Sequence, residues 1–133
     1  MSAARSAGAR LVVADDDDDI RGLIVFALER RGYVVHAAAS GDVALELART
    51  VGPDLVLLDV MMPGLTGLQV AGALRADPTT AGIPILILSA QGQATEIQAG
   101  LASGAWAYVV KPFQPRELAE RVAAMLVGVQ AAR

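Results

Sequence analysis

Five short apolar runs divide this 133-residue chain, at 11–14, 33–37, 55–58, 85–88 and 107–110. Each run is continuously apolar, which is typical of strands in a parallel sheet whose two faces are both covered. Between the runs, apolar residues recur at the spacing of amphipathic helices. Five strand–helix units joined by right-handed crossovers form a three-layer α/β sandwich. The sequence therefore predicts a doubly wound (βα)5 fold around a parallel five-stranded sheet.

Capping residues and helix breakers indicate where the helices begin and end. Ser40 is a suitable N-cap for the second helix, and Gly52 is a suitable residue to end it. Gly32 follows the first helix, and Pro115 suits the first turn of the last one. The pattern also predicts a helix near 93–103, which would lie between the fourth and fifth strands.

The length of the chain fits one domain of the commonest size. We expect this domain to span 10–127, because 1–9 is rich in Gly, Ala and Ser and resembles a flexible N-terminal tail. Residues 128–133 are expected to form a short C-terminal tail. A single-domain protein with no effector domain is the corresponding expectation.

Composition and charge exclude several classes of function. The chain has no cysteine and a single histidine, His36, which rules out disulfides, thiolate metal sites and His-cluster zinc sites. Its net charge of −3 argues against direct binding of nucleic acid. No apolar run approaches the ~20 residues that a membrane helix needs. A cytoplasmic protein is the expected result.

Polar side chains stand at the carboxyl ends of four of the five predicted strands. Five aspartates at 15–19 follow the first strand, and Asp59, Ser89 and Lys111 end the third, fourth and fifth. In open α/β sheets these ends meet at one crevice. Carboxylates crowded together need a cation, and hard oxygen ligands suit Mg²⁺. An ammonium and a hydroxyl can bind phosphoryl oxygens, so the set fits phosphoryl transfer onto a carboxylate.

Each of these features alone has an ordinary structural explanation. A run of aspartates is commonly a solvated loop with a helix N-cap, and Asp18 and Asp19 are assigned to that role because acids favour a helix start. A single aspartate or serine after a strand commonly forms a turn or a cap, and a lysine before proline is commonly surface charge. Four such coincidences at four strand ends favour a functional site.

Several motifs together resemble the receiver domain of two-component response regulators, including its chemotaxis-type members. The matching motifs are LVVADDD at 11–17, LLDVMMPGLTG at 57–67, LSA at 88–90, Gly104-Ala105 with Tyr108, and Lys111-Pro112-Phe113. The resemblance covers about 10–127. It implies a flavodoxin-like fold with strand order 2-1-3-4-5, and a phosphorylated switch protein instead of an enzyme.

The resemblance also implies roles for the acidic residues. Asp59 would be the phosphoacceptor, and Asp16 and Asp59 would bind Mg²⁺ directly. Asp15 would bind the ion through water, and Met61 would contribute its backbone carbonyl. Counting back from the Ile20-Arg21 pair fixes this register and assigns no role to the third aspartate.

The remaining implied roles concern the response to phosphorylation. Lys111, whose peptide bond to Pro112 would be cis, would pair with the phosphoryl group. Ser89 and Tyr108 would form the switch. The donor would be a sensor histidine kinase or phosphotransfer protein, and the output would be a downstream protein target. Trp106 shares strand parity with Tyr108, so both side chains are expected on one face of a monomer or weak dimer.

Four other chemistries fit parts of the pattern. A calcium EF-hand loop needs Gly and Glu where Ile20 and Phe26 stand. A flavin or dinucleotide site needs a first turn that cradles phosphate, which five carboxylates would repel. An aspartate-nucleophile, Mg²⁺-dependent phosphohydrolase and a phosphorylation-independent interaction module with a receiver fold remain as alternatives.

Overall fold

A computed structural model describes residues 8–90, 98, 102 and 106–131 of the chain. Its centre is a five-stranded sheet in which every neighbouring pair is parallel, in the order β2-β1-β3-β4-β5. The strands are β1 (Arg10–Ala14), β2 (Val34–Ala38), β3 (Leu55–Asp59), β4 (Ile85–Ala90) and β5 (Ala107–Lys111). The predicted sheet and its strand order are confirmed.

Helices cover both faces of the sheet. In the described part of the chain these are α1 (Asp18–Glu29), α2 (Gly41–Val51), α3 (Gly67–Ala76) and α4 (Pro115–Ala131). Helices α2 and α3 pack on one face, and α1 and α4 pack on the other. The helix predicted near 93–103 falls outside the described residues, apart from 98 and 102.

Successive residues of the inner strands contribute to the two faces in turn, which explains their continuous apolarity. Val12, Val56 and Ile87 lie in the core under α2 and α3. Leu11 and Leu57 lie in the core under α1 and α4. Since side chains alternate along a strand, both faces must be apolar when both are covered.

The helix limits follow the capping chemistry of the sequence. Ser40 caps α2 by accepting a hydrogen bond from the Val43 amide, and Gly52 ends it in the left-handed conformation at φ 66°. Both assignments from the sequence are confirmed. Thr66 begins α3 with a capping box, in which its side chain and that of Gln69 bind each other's backbone amides.

Ordered structure extends past the domain limits of 10 and 127 that the sequence suggested. Helix α4 continues to Ala131. At the other end Ala9 is buried, and its carbonyl accepts a hydrogen bond from Val34. Among the described residues, no helix is long and apolar enough to cross a membrane.

Candidate functional site

The loop after β1 uses its first three aspartates in different ways. Asp15 is fully buried, and its Oδ1 accepts a hydrogen bond from the Asp17 amide at 3.0 Å. Asp16 is exposed at the sheet edge. Asp17 caps α1 by accepting hydrogen bonds from the amides of Asp19 and Ile20. The third aspartate, to which the sequence assigned no role, is therefore the N-cap.

The last two aspartates lie in the first turn of α1, and not in the loop and cap before the helix to which the sequence assigned them. Asp18 is exposed and pairs with Arg21 at 2.5 Å. The side chain of Asp17 is engaged in capping, so the aspartates do not form the alternating ligand set of a calcium loop. Negative side chains at this helix start interact favourably with its dipole.

Asp59 ends β3 in a tightly packed turn. Its side chain is 9% exposed. The next residue, Val60, donates a backbone hydrogen bond to Leu88 in β4 and accepts one from the Gly67 amide. A β-carbon on Gly67 would overlap the Asp59 carbonyl oxygen and lie 2.9 Å from its carbonyl carbon. Only glycine fits there, so the start of α3 packs directly on the backbone of Asp59.

Three carboxylates and one ammonium meet at the carboxyl edge of the sheet. Asp15, Asp16 and Asp59 each offer an oxygen, and these atoms lie within 4.8 Å of one another. The Lys111 Nζ donates to Asp15 Oδ2 at 2.9 Å and lies 3.3 Å from Asp59 Oδ1. The peptide bond from Lys111 to Pro112 is cis, as the family resemblance implied.

The acidic group fits a small divalent cation. All three side chains offer hard carboxylate oxygens, the donor type that Mg²⁺ prefers. Two of the three, Asp15 and Asp59, are buried, and both form an ion pair with Lys111. A group with three negative charges and one positive charge favours binding of a cation.

The electrostatics of the site set the protonation of its groups. Burial raises the pKa of Asp59 from 3.8 to about 6, with the negative charge of Asp15 adding to the effect and Lys111 opposing it. Burial acts to lower the pKa of Lys111, but its hydrogen bond to Asp15 and the charge of Asp59 outweigh burial and raise it. Lys111 is therefore cationic, and Asp59 is mostly ionised near neutral pH.

Ser89 lies on β4 between the positions that pair with Asp59 and Lys111. In the sheet register, Asp59 pairs with Leu88 and Lys111 pairs with Ala90, so Ser89 falls between those two positions. Ser89 is fully buried, and its Oγ donates to the Ala90 carbonyl at 3.2 Å.

Two other predicted site residues have exposed side chains. The side chain of Met61, in the loop after β3, is 58% exposed, and the sequence assigned only the backbone carbonyl of this residue to the site. Tyr108 is 39% exposed in β5, three positions before Lys111. Trp106, which precedes β5, is also exposed. Arg121 of α4 donates to the Tyr108 carbonyl at 3.4 Å, and these three residues border a shallow pocket of about 320 Å³.

The sequence interpretation missed one contributor to the site. Arg21 was used only to fix the register of the aspartates, but its guanidinium donates to the Asp15 carbonyl at 2.9 Å and pairs with Asp18. Its contact with Asp15 thereby joins α1 to the residue that follows β1. The signal that could have revealed this contact is the spacing: Arg21 stands six residues after Asp15 and about one helical turn after the capping residue.

The raised pKa of Asp59 predicts a pH-dependent loss of stability. Well below pH 3.8 the carboxyl is protonated in both the folded and the unfolded chain; above pH 6 the folded chain carries a charge that is disfavoured by roughly 3 kcal/mol. Without divalent cations, Asp59→Asn should therefore gain stability relative to wild type as pH rises from 4 to 8. Urea unfolding at both pH values measures this gain, and a pH-independent difference would contradict the prediction.

Known proteins with similar sequences are response regulators. A model of the response regulator receiver domain matches residues 11–123. The DNA-binding response regulator MtrA of Mycolicibacterium smegmatis is 42% identical over 117 residues, which cover 88% of this chain and 50% of MtrA. The transcriptional regulatory protein SrrA of Staphylococcus aureus is 42% identical over 120 residues, covering 90% and 48%. The chain thus spans about half the length of these relatives.

Solved structures show the same fold. The receiver domain of Francisella response regulator 1452 has a TM-score of 0.82 at 32% identity, and the match covers 95% of this chain and all of that one. The chemotaxis protein CheY4 of Vibrio cholerae has a TM-score of 0.82 at 34% identity, covering 89% and 98%. The chain therefore belongs to the response regulator receiver domain family of two-component signal transduction.

Proposed function

We propose that Asp59 is the phosphoacceptor of this receiver domain. Receiver domains are phosphoacceptor switches, and response regulators partner with histidine kinases. The observation that carries the assignment is the placement of the Asp59 carboxylate, which is buried, lies 3.3 Å from a cationic lysine and shares a cation-binding group with Asp15 and Asp16. The phosphorylation-independent module does not account for this concentration of charge.

The proposed reaction is phosphoryl transfer from a phosphohistidine. An Asp59 carboxylate oxygen attacks the phosphorus, the P–N bond breaks, and the imidazole retains the bonding electron pair. Attack requires the ionised carboxylate, which prevails above the pKa of about 6. Lys111 already contacts Asp59 and can move its ammonium to a phosphoryl oxygen, so catalysis consists of positioning and charge neutralisation.

The proposed cation ligands are Asp16, Asp59 and the backbone carbonyl of Met61, with Asp15 acting through water. A bound Mg²⁺ would supply positive charge against the phosphoryl oxygens. Asp15 has its two oxygens engaged by Lys111 and by the Asp17 amide. That arrangement supports an indirect role for Asp15 and holds the lysine in the site.

Ser89 and Tyr108 are proposed as the switch that reports phosphorylation. Ser89 lies between the register partners of Asp59 and Lys111, so a small movement of its hydroxyl can bring it to a phosphoryl oxygen. The space that Ser89 leaves would admit Tyr108, whose side chain is now exposed. A local electrostatic change would then be read out by a two-state aromatic side chain.

The proposal also covers loss of the phosphoryl group and the partners of the domain. Water would hydrolyse the acyl phosphate and return Asp59 to its resting state. The donor would be a sensor histidine kinase or a phosphotransfer protein in the cytoplasm, and the output a downstream protein target contacted by a monomer or weak dimer. MtrA is named a DNA-binding response regulator, and this chain matches half of it. We propose no direct contact of this domain with nucleic acid.

The receiver unit is proposed to span 10–127, which the family match over 11–123 supports.

Phosphorylation of the intact chain tests the assignment of Asp59. Incubation with acetyl phosphate and Mg²⁺ should add one phosphoryl group, measured by intact mass, and the label should decay on removal of the donor. Asp59→Asn should abolish labelling because the nucleophilic oxygen is lost. Asp18→Asn is the matched control and should label fully, since Asp18 is exposed in the first turn of α1. Full labelling of the Asp59 variant would refute the proposal.

Cation binding distinguishes the roles of two neighbouring aspartates. Asp16→Ala should weaken Mg²⁺ binding at least tenfold because it removes a ligand of the acidic group. Asp18→Ala should change the affinity less than twofold, since its carboxylate is paired with Arg21 outside that group. Calorimetric titration measures both affinities. Equal losses in the two variants would show that the assigned register is wrong.

The switch predicts a spectroscopic change at a single tryptophan. Trp106 is the only tryptophan of the chain, and it borders the same pocket as Tyr108. Beryllofluoride with Mg²⁺, which mimics the phosphoryl group on a carboxylate, should shift the emission of Trp106 as Tyr108 turns inward. Asp59→Asn should show no shift. An unchanged spectrum in wild type that has bound beryllofluoride would contradict a switch involving this face.

A further inference from the structure

The start of α2 is in unusually close contact with the loop that follows Asp59. The Gly41 amide donates to the Pro63 carbonyl at 3.3 Å. A β-carbon on Gly41 would overlap the Leu65 carbonyl oxygen, and it would lie 2.6 Å from the Leu65 carbonyl carbon and 2.8 Å from its β-carbon. The first two of these neighbours are backbone atoms, so a side chain at this position could be accommodated only by moving the loop.

The loop contacts the same helix with a second glycine. Gly64 adopts a positive φ of 73°, and a β-carbon there would overlap Asp42 Oδ2 and lie 3.0 Å from its carboxyl carbon. Gly41 packs against the residue after Gly64, and Gly64 packs against the residue after Gly41. These reciprocal contacts interlock the α2 start with residues 63–65.

The same loop is anchored to Asp59 at its other end. The Gly67 amide donates to the Val60 carbonyl at 2.9 Å, and Gly67 packs on the Asp59 carbonyl group. The loop is therefore short and held at both ends, by α2 on one side and by the backbone of the proposed acceptor on the other. A displacement at Leu65 must be taken up by the few residues between these anchors, which include Met61.

We propose that Gly41 is a positioning residue for the phosphoacceptor site, acting through the loop at 60–66. This inference rests on the proposed function, because it concerns the cation and phosphoryl chemistry of Asp59. Gly41 contacts none of the reacting groups among the described residues; its effect is to allow the loop to sit close to α2. Displacements of about 1 Å in a catalytic constellation are enough to cause losses of the order of a hundredfold in rate.

The test compares Gly41→Ala with its parent in a stabilised background. Gly22→Ala and Gly72→Ala supply that background, because both glycines lie within helices with no heavy atom within 4 Å of an added β-carbon. Gly41→Ala should weaken Mg²⁺ affinity at least tenfold by calorimetry and slow labelling by acetyl phosphate at least tenfold. Amide chemical shifts of Met61 and Leu65 should change in the same variant.

A destabilised control separates positioning from general loss of stability. Val122→Ala removes buried methyl groups of α4 itself, which packs on the opposite face of the sheet, and leaves the loop untouched. It should keep the parent's Mg²⁺ affinity and labelling rate although it unfolds at lower urea. Equal losses of Mg²⁺ affinity in the Val122 and Gly41 variants would overturn the inference.

A milder change covers the case in which Gly41→Ala does not fold. Asp42→Ala removes the carboxylate that packs on Gly64 and introduces no clash, and it should weaken Mg²⁺ binding about threefold by loosening the loop. Glu46→Ala removes an equivalent exposed charge from α2 away from the loop and should leave the affinity unchanged. Equal effects of these two substitutions would overturn the inference.

The outcomes also distinguish this inference from the proposed function. If the Gly22/Gly72 background neither binds Mg²⁺ nor accepts a phosphoryl group, the proposed function fails. If that background does both and Gly41→Ala matches it in affinity and rate, the proposed function stands and the positioning role of Gly41 is wrong.

Discussion

The contact of Lys111 with two buried carboxylates is the interaction on which the rest of the site depends. Asp15 and Asp59 lie at the ends of neighbouring strands, and without a cation between them their charges would oppose folding. One ammonium serves both, at 2.9 and 3.3 Å. The attraction of the ammonium does not fully offset burial and the negative charge of Asp15, because the pKa of Asp59 stays raised. The fold thus retains an acidic group whose negative charge is neutralised only in part, as the proposed binding of a cation requires.

Much of this arrangement could be predicted from the sequence, because the rules that fix it are local. Continuously apolar runs indicated strands covered on both faces, and residues such as Ser40 and Gly52 marked the helix ends through their own capping chemistry. The convergence of Asp59 and Lys111 followed from a general property of parallel sheets. These inferences needed no knowledge of distances.

The parts that could not be predicted depend on packing in three dimensions. The sequence does not reveal which of five identical aspartates caps α1, because that depends on the direction in which the chain leaves β1. Nor does it show that Gly41 lies against Leu65, since the two are 24 positions apart in the sequence and meet only through packing. Helix α4 continues past 127 although Gly128 is a poor helix former, so its end could not be predicted from local residue preferences.

The alternation of side chains between the two cores has a consequence for the accuracy of the site. In β1 and β3, the side chains that face α2 and α3 are Val12, Ala14, Val56 and Leu58, and those that face α1 and α4 are Leu11, Val13, Leu55 and Leu57. A shift of either strand by one residue would turn every side chain to the opposite face, and it could bring Leu11 into the space of Val12 or Leu55 into the space of Val56. The same shift would carry the terminal aspartate away from Lys111. Correct alignment of the reactive groups is therefore enforced by steric volume deep in the interior, well away from any charge.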